Sequence, residues 1–466
     1  MLKSVFFRTA AAVTAAASLW GGEAPAADAP AKPNVLVIVA DDLGYGDLGF
    51  QGGKEIPTPN LDRLAADGVK CTSGYISCPV CSPTRAGLLT GRYQQRFGHE
   101  FNPGPAPDAA QKIGLPVEEI TIADRFRAAG YKTGLVGKWH LGNLPEFHPQ
   151  QRGFEEFYGF LGGAHPYFPG SPQNNPILRG TETVQDPEYL TDAFGKEAVA
   201  YIDRHKADPF YLQVTFNAVH NPQHAKAEHL ERFKEISNER RRTYAGMLTA
   251  MDDAIGTILG KLKSEKLDQN TLVVFISDNG GPEANGSTNG SLRGQKAQTW
   301  EGGIRVPFVL KWPAAIPAGG EFHQPVIQLD VLPTALAAIG HPVTDKNLDG
   351  VNLLPFLKGE SQGAPHERLY WRFGPQTAIR QGDWKLVKAT GIDAPQLFNL
   401  KADIGEKTDL SSAEPAKFQE LQTAWNEWNA TLAQPKWRGA GVNANPNRQP
   451  GAQPRNRKKA AEAPAT

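Results

Sequence analysis

Cysteine is scarce: Cys71, Cys78 and Cys81 are the only three in 466 residues, and all fall within eleven positions. So few exclude a disulfide framework, and an odd number leaves at least one thiol over. Net charge is also missing, because 49 Lys and Arg balance 49 Asp and Glu. Bulk electrostatic attraction to nucleic acid is thereby disfavoured, and no nucleic-acid partner is expected. Beyond residue 26 no apolar run approaches the ~20 residues that span a bilayer, so no transmembrane segment is expected. No fixed-period repeat is visible, which leaves a solenoid or propeller without support.

What is present is an ordinary globular composition, 40% hydrophobic and 21% charged, which excludes disorder of the whole chain. Glycine (48) and proline (37) exceed the ~12% of average usage, which points to long, shaped loops of the kind that carry function. Residues 1–26 have the form of an export signal. Lys3 and Arg8 precede the short apolar stretch Thr9 to Trp20, and Ala24-Pro25-Ala26 supplies a cleavage site. A periplasmic or secreted protein is expected. At the other end, residues 435–466 hold seven Lys or Arg against the single Glu462 and show no apolar periodicity, the pattern of a basic, disordered tail.

Asn34 to Ala40 and Thr271 to Ile276 are almost unbroken β-branched and apolar runs, as in strands buried on both faces of a parallel sheet. Strands Thr133 to Val136 and Phe210 to Thr215 alternate with helical segments around Asn60 to Asp67, Thr121 to Ala129, Tyr189 to Lys206 and Arg242 to Leu262. This order predicts an α/β fold, a large doubly wound mixed sheet flanked by helices, over residues 33–365. From about Tyr370 the texture changes to short alternations at Ala378 to Arg380, Trp384 to Val387 and Leu397 to Leu400, then an amphipathic helix from Glu414 to Leu432. A smaller C-terminal α+β subdomain, an antiparallel sheet plus a helix, is expected over residues 366–434.

Ligands collect at the carboxyl ends of strands in open α/β sheets. There the sequence places Asp41-Asp42 after one buried run and Asp278-Asn279 after the other, hard oxygen donors suited to Ca²⁺ or Mg²⁺. Either pair alone could simply cap a turn. Ser82 can cap a helix that has Pro83 in its first turn and ends at Gly91, so Cys81 falls at a helix N-terminus, where backbone N–H groups favour an anion. Arg85 lies four residues on, on the same face, able to bind anion oxygens or fix residue 81.

Cys81-x-Pro83-x-Arg85, followed by Leu88-Leu89-Thr90-Gly91-Arg92, resembles the signature of the sulfatases. Further landmarks of that family follow in order from Pro33 to about Leu410. They are Ala40-Asp41-Asp42-Leu43-Gly44, Gly137-Lys138-Trp139-His140-Leu141-Gly142, His220, Ser277-Asp278-Asn279-Gly280, and Lys296 within the stretch from Arg293 to Pro307. The resemblance implies that Cys81 is oxidised to Cα-formylglycine by a formylglycine-generating enzyme or an anaerobic sulfatase-maturating enzyme. It implies that Asp41, Asp42, Asp278 and Asn279, with the oxygen of residue 81, bind Ca²⁺ or, less usually, Mg²⁺. Lys138 and His140 match the pair at the formylglycine diol and the sulfate, and His220 and Lys296 match the groups near the ester oxygen.

Such a site would hydrolyse sulfate monoesters of sulfated glycans, with small aryl sulfates as model substrates. One hydroxyl of the aldehyde hydrate attacks sulfur, and the second is then deprotonated to release sulfate. Arg85, Lys138 and Lys296 would neutralise the sulfate, His220 with Lys296 would protonate the leaving oxygen, and His140 would act as base. A phosphonate or phosphodiester hydrolase can share the Cys-x-Pro-x-Arg device, and an inactive glycan-binding homologue is a third reading. His165, after Gly159-Phe-Leu-Gly-Gly-Ala164, stands where many relatives place a hydroxyl or a basic residue, and His224 competes with His220.

Overall fold

Alternate side chains of the strand Asn34–Ala40 leave opposite faces of the central sheet, and all seven residues are buried. Val35, Val37 and Val39 share one apolar cluster with Ile122, Ala123 and Phe126 of the helix Ile122–Ala128 and with Leu332, Ala335 and Leu336 of the helix Val331–Ala338. Leu36, Ile38 and Ala40 belong to the other, with Phe194, Ala198 and Ile202 of the helix Leu190–His205 and Met247, Met251 and Ile255 of the helix Glu239–Ser264. Burial on both faces is why this strand reads as an unbroken apolar run. The computed structural model describes Met1 and residues 32–104, 112–341 and 345–439; the expected export signal and the tail beyond residue 439 lie outside the described residues.

Five strands form the parallel centre of the sheet, in the order Thr271–Ser277, Asn34–Ala40, Phe210–Thr215, Lys132–Lys138, Glu156–Phe160. Phe308–Lys311 joins antiparallel beside Thr271–Ser277, so the sheet is mixed, doubly wound and covered by helices, as the sequence predicts. Register then fixes the site: Ala40 stands opposite Ser277, Val39 opposite Thr215, and Gly137 opposite Thr215. Four connections therefore leave one edge of the sheet at one level. Gly137 permits a close approach of two strands, because with φ of +115° a Cβ there would lie 2.0 Å from the Thr215 carbonyl oxygen.

The smaller C-terminal sheet is an antiparallel meander of Leu369–Phe373, Gln376–Gln381, Trp384–Lys388 and Gln396–Asn399, with the helix Pro415–Ala430 packed on it through Leu421, Ala424 and Trp428. Trp371 donates its indole N–H to the Ile76 carbonyl (2.6 Å), and Lys385 pairs with Glu301 of the main domain (2.9 Å) and with Glu406 of its own subdomain (2.8 Å), all three buried.

The packed chain does not stop at Gln434. Ala433 N–H donates to Gln95 O, Lys436 N–H to Gly98 O, and the Trp437 indole to Phe101 O (3.0 Å). Trp437 is buried with Cys78, Val80, Phe101, Ile113 and Phe373. A single tryptophan carries too little periodicity to be seen in a segment otherwise made of turn-formers.

Candidate active site

The helix Cys81–Thr90 begins one residue before the expected cap. Val80 occupies the cap position in extended conformation and Ser82 lies inside the first turn, where its hydroxyl meets Nε2 of His99 (2.7 Å) and its N–H donates to Oδ1 of Asn102 (2.9 Å). The capping assignment to Ser82 is therefore corrected: a buried histidine takes the hydroxyl that would have turned back on the backbone. Gly91 ends the helix with φ of +65°, as expected. Cys81, the first helical residue, is almost wholly buried.

Around Cys81 the structure gathers side chains from all the connections at that edge of the sheet. Sγ lies 3.7 Å from Oδ1 of Asp41 and 3.4 Å from Nζ of Lys296. Nζ of Lys138, the last residue of its strand, sits 2.5 Å from Oδ2 of Asp41. Lys296 makes an equally short contact, 2.5 Å, to Oδ1 of Asp42. His220 Nε2 is 3.7 Å from Oδ2 of Asp42, its Nδ1 held by the Asn221 carbonyl (2.6 Å). Ligand atoms of Asp41, Asp42, Cys81 and His220 all fall within 4.8 Å of one another. Asp42, His140 and Ala297, none of them glycine, have φ of 62°, 63° and 66°. Such left-handed backbone is stored strain of the kind that clusters at functional sites. His140 thus lies beyond the end of the Lys132–Lys138 strand, in left-handed backbone.

Arg85 is spent on protein groups. Nε and Nη2 donate to Oδ2 of Asp278 at 3.0 and 2.7 Å, and Nη1 to the Lys138 carbonyl at 3.0 Å. It orients the carboxylate and the end of the Lys138 strand. Asp278 keeps Oδ1 towards the Asp42 N–H (3.4 Å). Asn279 donates through Nδ2 to Oδ1 of Asp42 (2.7 Å), while its buried Oδ1 has no partner among the described residues. Three buried carboxylates beside an unpartnered amide oxygen are a donor set that fits a hard divalent cation.

Electrostatics sort these groups by proton. Burial pushes the Cys81 thiol up to about 12 against the pull of Lys138 and Lys296, so it is no thiolate at neutral pH. Burial, reinforced by Lys138 and Arg85, drives His140 well below the usual histidine range, which leaves a neutral imidazole. His220 is lowered to about 4, chiefly by burial, with Asp42 opposing. Burial would lower Lys296 too, but Asp42 and its neighbours outweigh it and raise the ammonium above its ordinary value. Burial would raise Asp42, and Lys296 and His220 hold it well below the carboxylate range instead.

The two undecided histidines point elsewhere. His165 has both ring nitrogens engaged, Nδ1 with the Pro166 carbonyl (2.7 Å) and Nε2 with the Ser171 hydroxyl (3.0 Å), and its ring lies against Phe160. His224 lies by Tyr167 and Phe168. Sequence reasoning missed Asn285, which is buried with Nδ2 3.3 Å from Oδ2 of Asp42 and accepts a short hydrogen bond from Asn221 beside His220. It missed Tyr167, whose hydroxyl donates to the carbonyls of Asn217 (2.5 Å) and His220 (2.9 Å), and Thr215, which holds the Lys138 carbonyl (2.7 Å). The one available signal was nearness in sequence: Asn285 follows Asp278 by seven residues and Thr215 ends a recognised strand.

A family profile described as Sulfatase matches residues 33–341, and one described as N-sulphoglucosamine sulphohydrolase, C-terminal, matches residues 295–431. N-acetylgalactosamine-6-sulfatase of Sus scrofa is 36% identical over 403 residues, covering 80% of this chain and 75% of that protein. Arylsulfatase A of Homo sapiens is 33% identical over 449 residues, covering 84% and 86%. The crystal structure of Ps i-CgsB in complex with k-i-k-neocarrahexaose superposes with a TM-score of 0.83 at 38% identity, covering 88% of this chain and 96% of that one.

Proposed function

Since the chain belongs to the sulfatase family and is an enzyme that hydrolyses sulfate esters, we propose that it does so on sulfated glycans, with a formylglycine made from Cys81 and a divalent cation, after export to the periplasm or the medium. The observation that carries the reading is the position of residue 81: at a helix N-terminus, between the Asp41 carboxylate and the Lys296 ammonium, with a thiol too basic to serve as a nucleophile itself. Ca²⁺ or Mg²⁺ held by Asp41, Asp42, Asp278, Asn279 and the oxygen of residue 81 would supply positive charge for the sulfate oxygens. The hydrated aldehyde supplies an attacking hydroxyl and a second hydroxyl whose deprotonation releases sulfate.

The chain's own residues do the rest. Lys138 and Lys296 bring two ammonium groups to within reach of residue 81 and offset the charge of a bound sulfate. His140, neutral and with Nδ1 unpartnered among the described residues, is the base for the second hydroxyl. Nζ of Lys296 and Nε2 of His220 flank the Asp42 carboxylate, and they are the two nitrogens that share the proton needed by the departing alkoxide. Arg85 keeps Asp278 and the Lys138 carbonyl in register. Maturation of Cys81 assigns the enzyme a partner, a formylglycine-generating or anaerobic sulfatase-maturating enzyme.

Turnover of the sulfate and the phosphate ester of one phenol, before and after exhaustive chelation verified by elemental analysis, tests this reading. Preference for the sulfate ester and loss of activity with the metal are expected. Preference for the phosphate ester, or full activity without metal, overturns it. A panel of defined sulfated oligosaccharides, with released sulfate measured, then identifies the glycan.

A further inference from the structure

Lys296 sits on a turn that the main domain does not hold alone. The next residue, Ala297, has left-handed backbone (φ 66°), donates its N–H to the carbonyl of Pro79, two residues before Cys81, and accepts at its own carbonyl from Nε2 of Gln376 (2.8 Å). Gln376 begins a strand of the C-terminal sheet. Its Oε1 accepts from the N–H of Thr299 (3.2 Å), on the far side of the turn, and from the N–H of Thr390 (3.2 Å), within its own subdomain. One amide thus ties Ala297, within the Lys296 turn, and Thr299, just past it, to the small sheet.

The neighbouring fastenings do not reach Ala297. Thr299 Oγ1 donates to the Lys388 carbonyl, the Trp300 indole to the Thr390 carbonyl, and Glu301 N–H to the Glu406 carboxylate (2.7 Å), all further along the loop. Strained backbone persists only where its surroundings over-determine it. Here the restraints include the Gln298 N–H closing onto the Gln295 carbonyl, the Pro79 carbonyl from the nucleophile segment and the Gln376 amide from the C-terminal sheet.

We infer that Gln376 is a positioning residue for Lys296, so that the C-terminal subdomain sets the placement of the ammonium beside residue 81. The inference rests on the role given to Lys296 above. Displacement by about 1 Å of a group that must meet a reacting atom can cost up to ~10²-fold in rate. Gln376→Ala should therefore lower kcat by roughly 10- to 100-fold and leave KM nearly unchanged. Gln376→Glu keeps the acceptor for Thr299 and Thr390 but loses the donor to the Ala297 carbonyl.

The test is a double-mutant cycle on a nitrophenyl sulfate, with metal-loaded, matured protein. Gln376→Ala is expected to cost that factor when Lys296 is present and less than about twofold in a Lys296→Ala background, because it acts through a group no longer there. Gln376→Glu should behave like Gln376→Ala in rate while retaining the wild-type melting temperature, and it carries the test if the alanine variant does not fold. Losses of equal size in both backgrounds, or a glutamate variant with wild-type kcat, overturn the inference. Failure of the wild type to cleave the ester at all would strike the sulfatase reading instead, so the two are told apart.

Discussion

Nζ of Lys138 lies 2.5 Å from Oδ2 of Asp41, and neither side chain has any exposed surface. Removing one partner of a buried pair leaves the other charge uncompensated, at a cost of about 3–5 kcal/mol. Lys138→Ala should therefore destabilise the protein in chemical denaturation, and more after chelation than with Ca²⁺ added, since cation and ammonium would offset the same carboxylate. Equal losses in the two conditions would mean that no cation reaches Asp41.

Leaving-group dependence separates the proton donors from the rest of the site. A general acid is worth ~10²- to 10⁴-fold when the leaving group is poor, so His220→Ala should lose roughly that much on a sugar sulfate and much less on a nitrophenyl ester. Lys296→Ala also removes an ammonium that offsets the sulfate charge beside residue 81, and should lose at least ~10²-fold on both esters. His140→Ala should slow both substrates alike once release of sulfate limits the rate. His224→Ala, whose ring lies by Tyr167 and Phe168, should leave both rates near wild type. Equal losses on the two esters for His220→Ala would remove its acid assignment.

Much of this site was legible because strand ends are legible. Asp41-Asp42 and Asp278-Asn279 follow runs whose unbroken apolar character marks strands buried on both faces, and such strands deliver their carboxyl ends to one edge. Lys138, His140, Cys81 and Arg85 were found through a motif, and the structure brings Lys138, Cys81 and Arg85 to the same carboxylates. Asn285, Tyr167 and Gln376 were not legible, because each acts through a backbone or carboxylate partner supplied by a distant segment: Asp42 for Asn285, His220 for Tyr167, Ala297 for Gln376. Ser82 misled for the same reason, its hydroxyl being claimed by His99 from the next loop.

The C-terminal segment gives a sharp pair of truncations. Ending the chain after Gln434 removes Trp437, whose ring lies edge-on to His99 at 4.6 Å and whose loss is worth about 3–5 kcal/mol as a buried aromatic. Ending it after Gly439 removes most of the basic residues and none of the described packing. The shorter protein should melt well below the wild type, and the longer should match it in melting temperature and in turnover of a small aryl sulfate. Identical melting of both truncations would show that Trp437 contributes nothing.

Stability should also fall on the alkaline side through His366. Nε2 lies 2.8 Å from Oδ1 of Asp330, and although burial would lower the imidazole, the carboxylate outweighs it and raises His366 above its ordinary value. A folded value above the unfolded ~6.5 means that the stabilisation is complete below that pH and is lost as pH rises through the folded value. Denaturation midpoints of wild type and His366→Asn should converge as the pH is raised from 6 towards 9. Parallel curves would place the titration elsewhere.

Everything proposed for the chemistry turns on residue 81. Mass spectrometry of the peptide carrying it, from enzyme whose turnover of an aryl sulfate has been measured on the same sample, should show a loss of about 18 Da relative to cysteine, in proportion to activity across preparations matured to different extents. A fully active preparation in which residue 81 is unmodified cysteine would contradict the account.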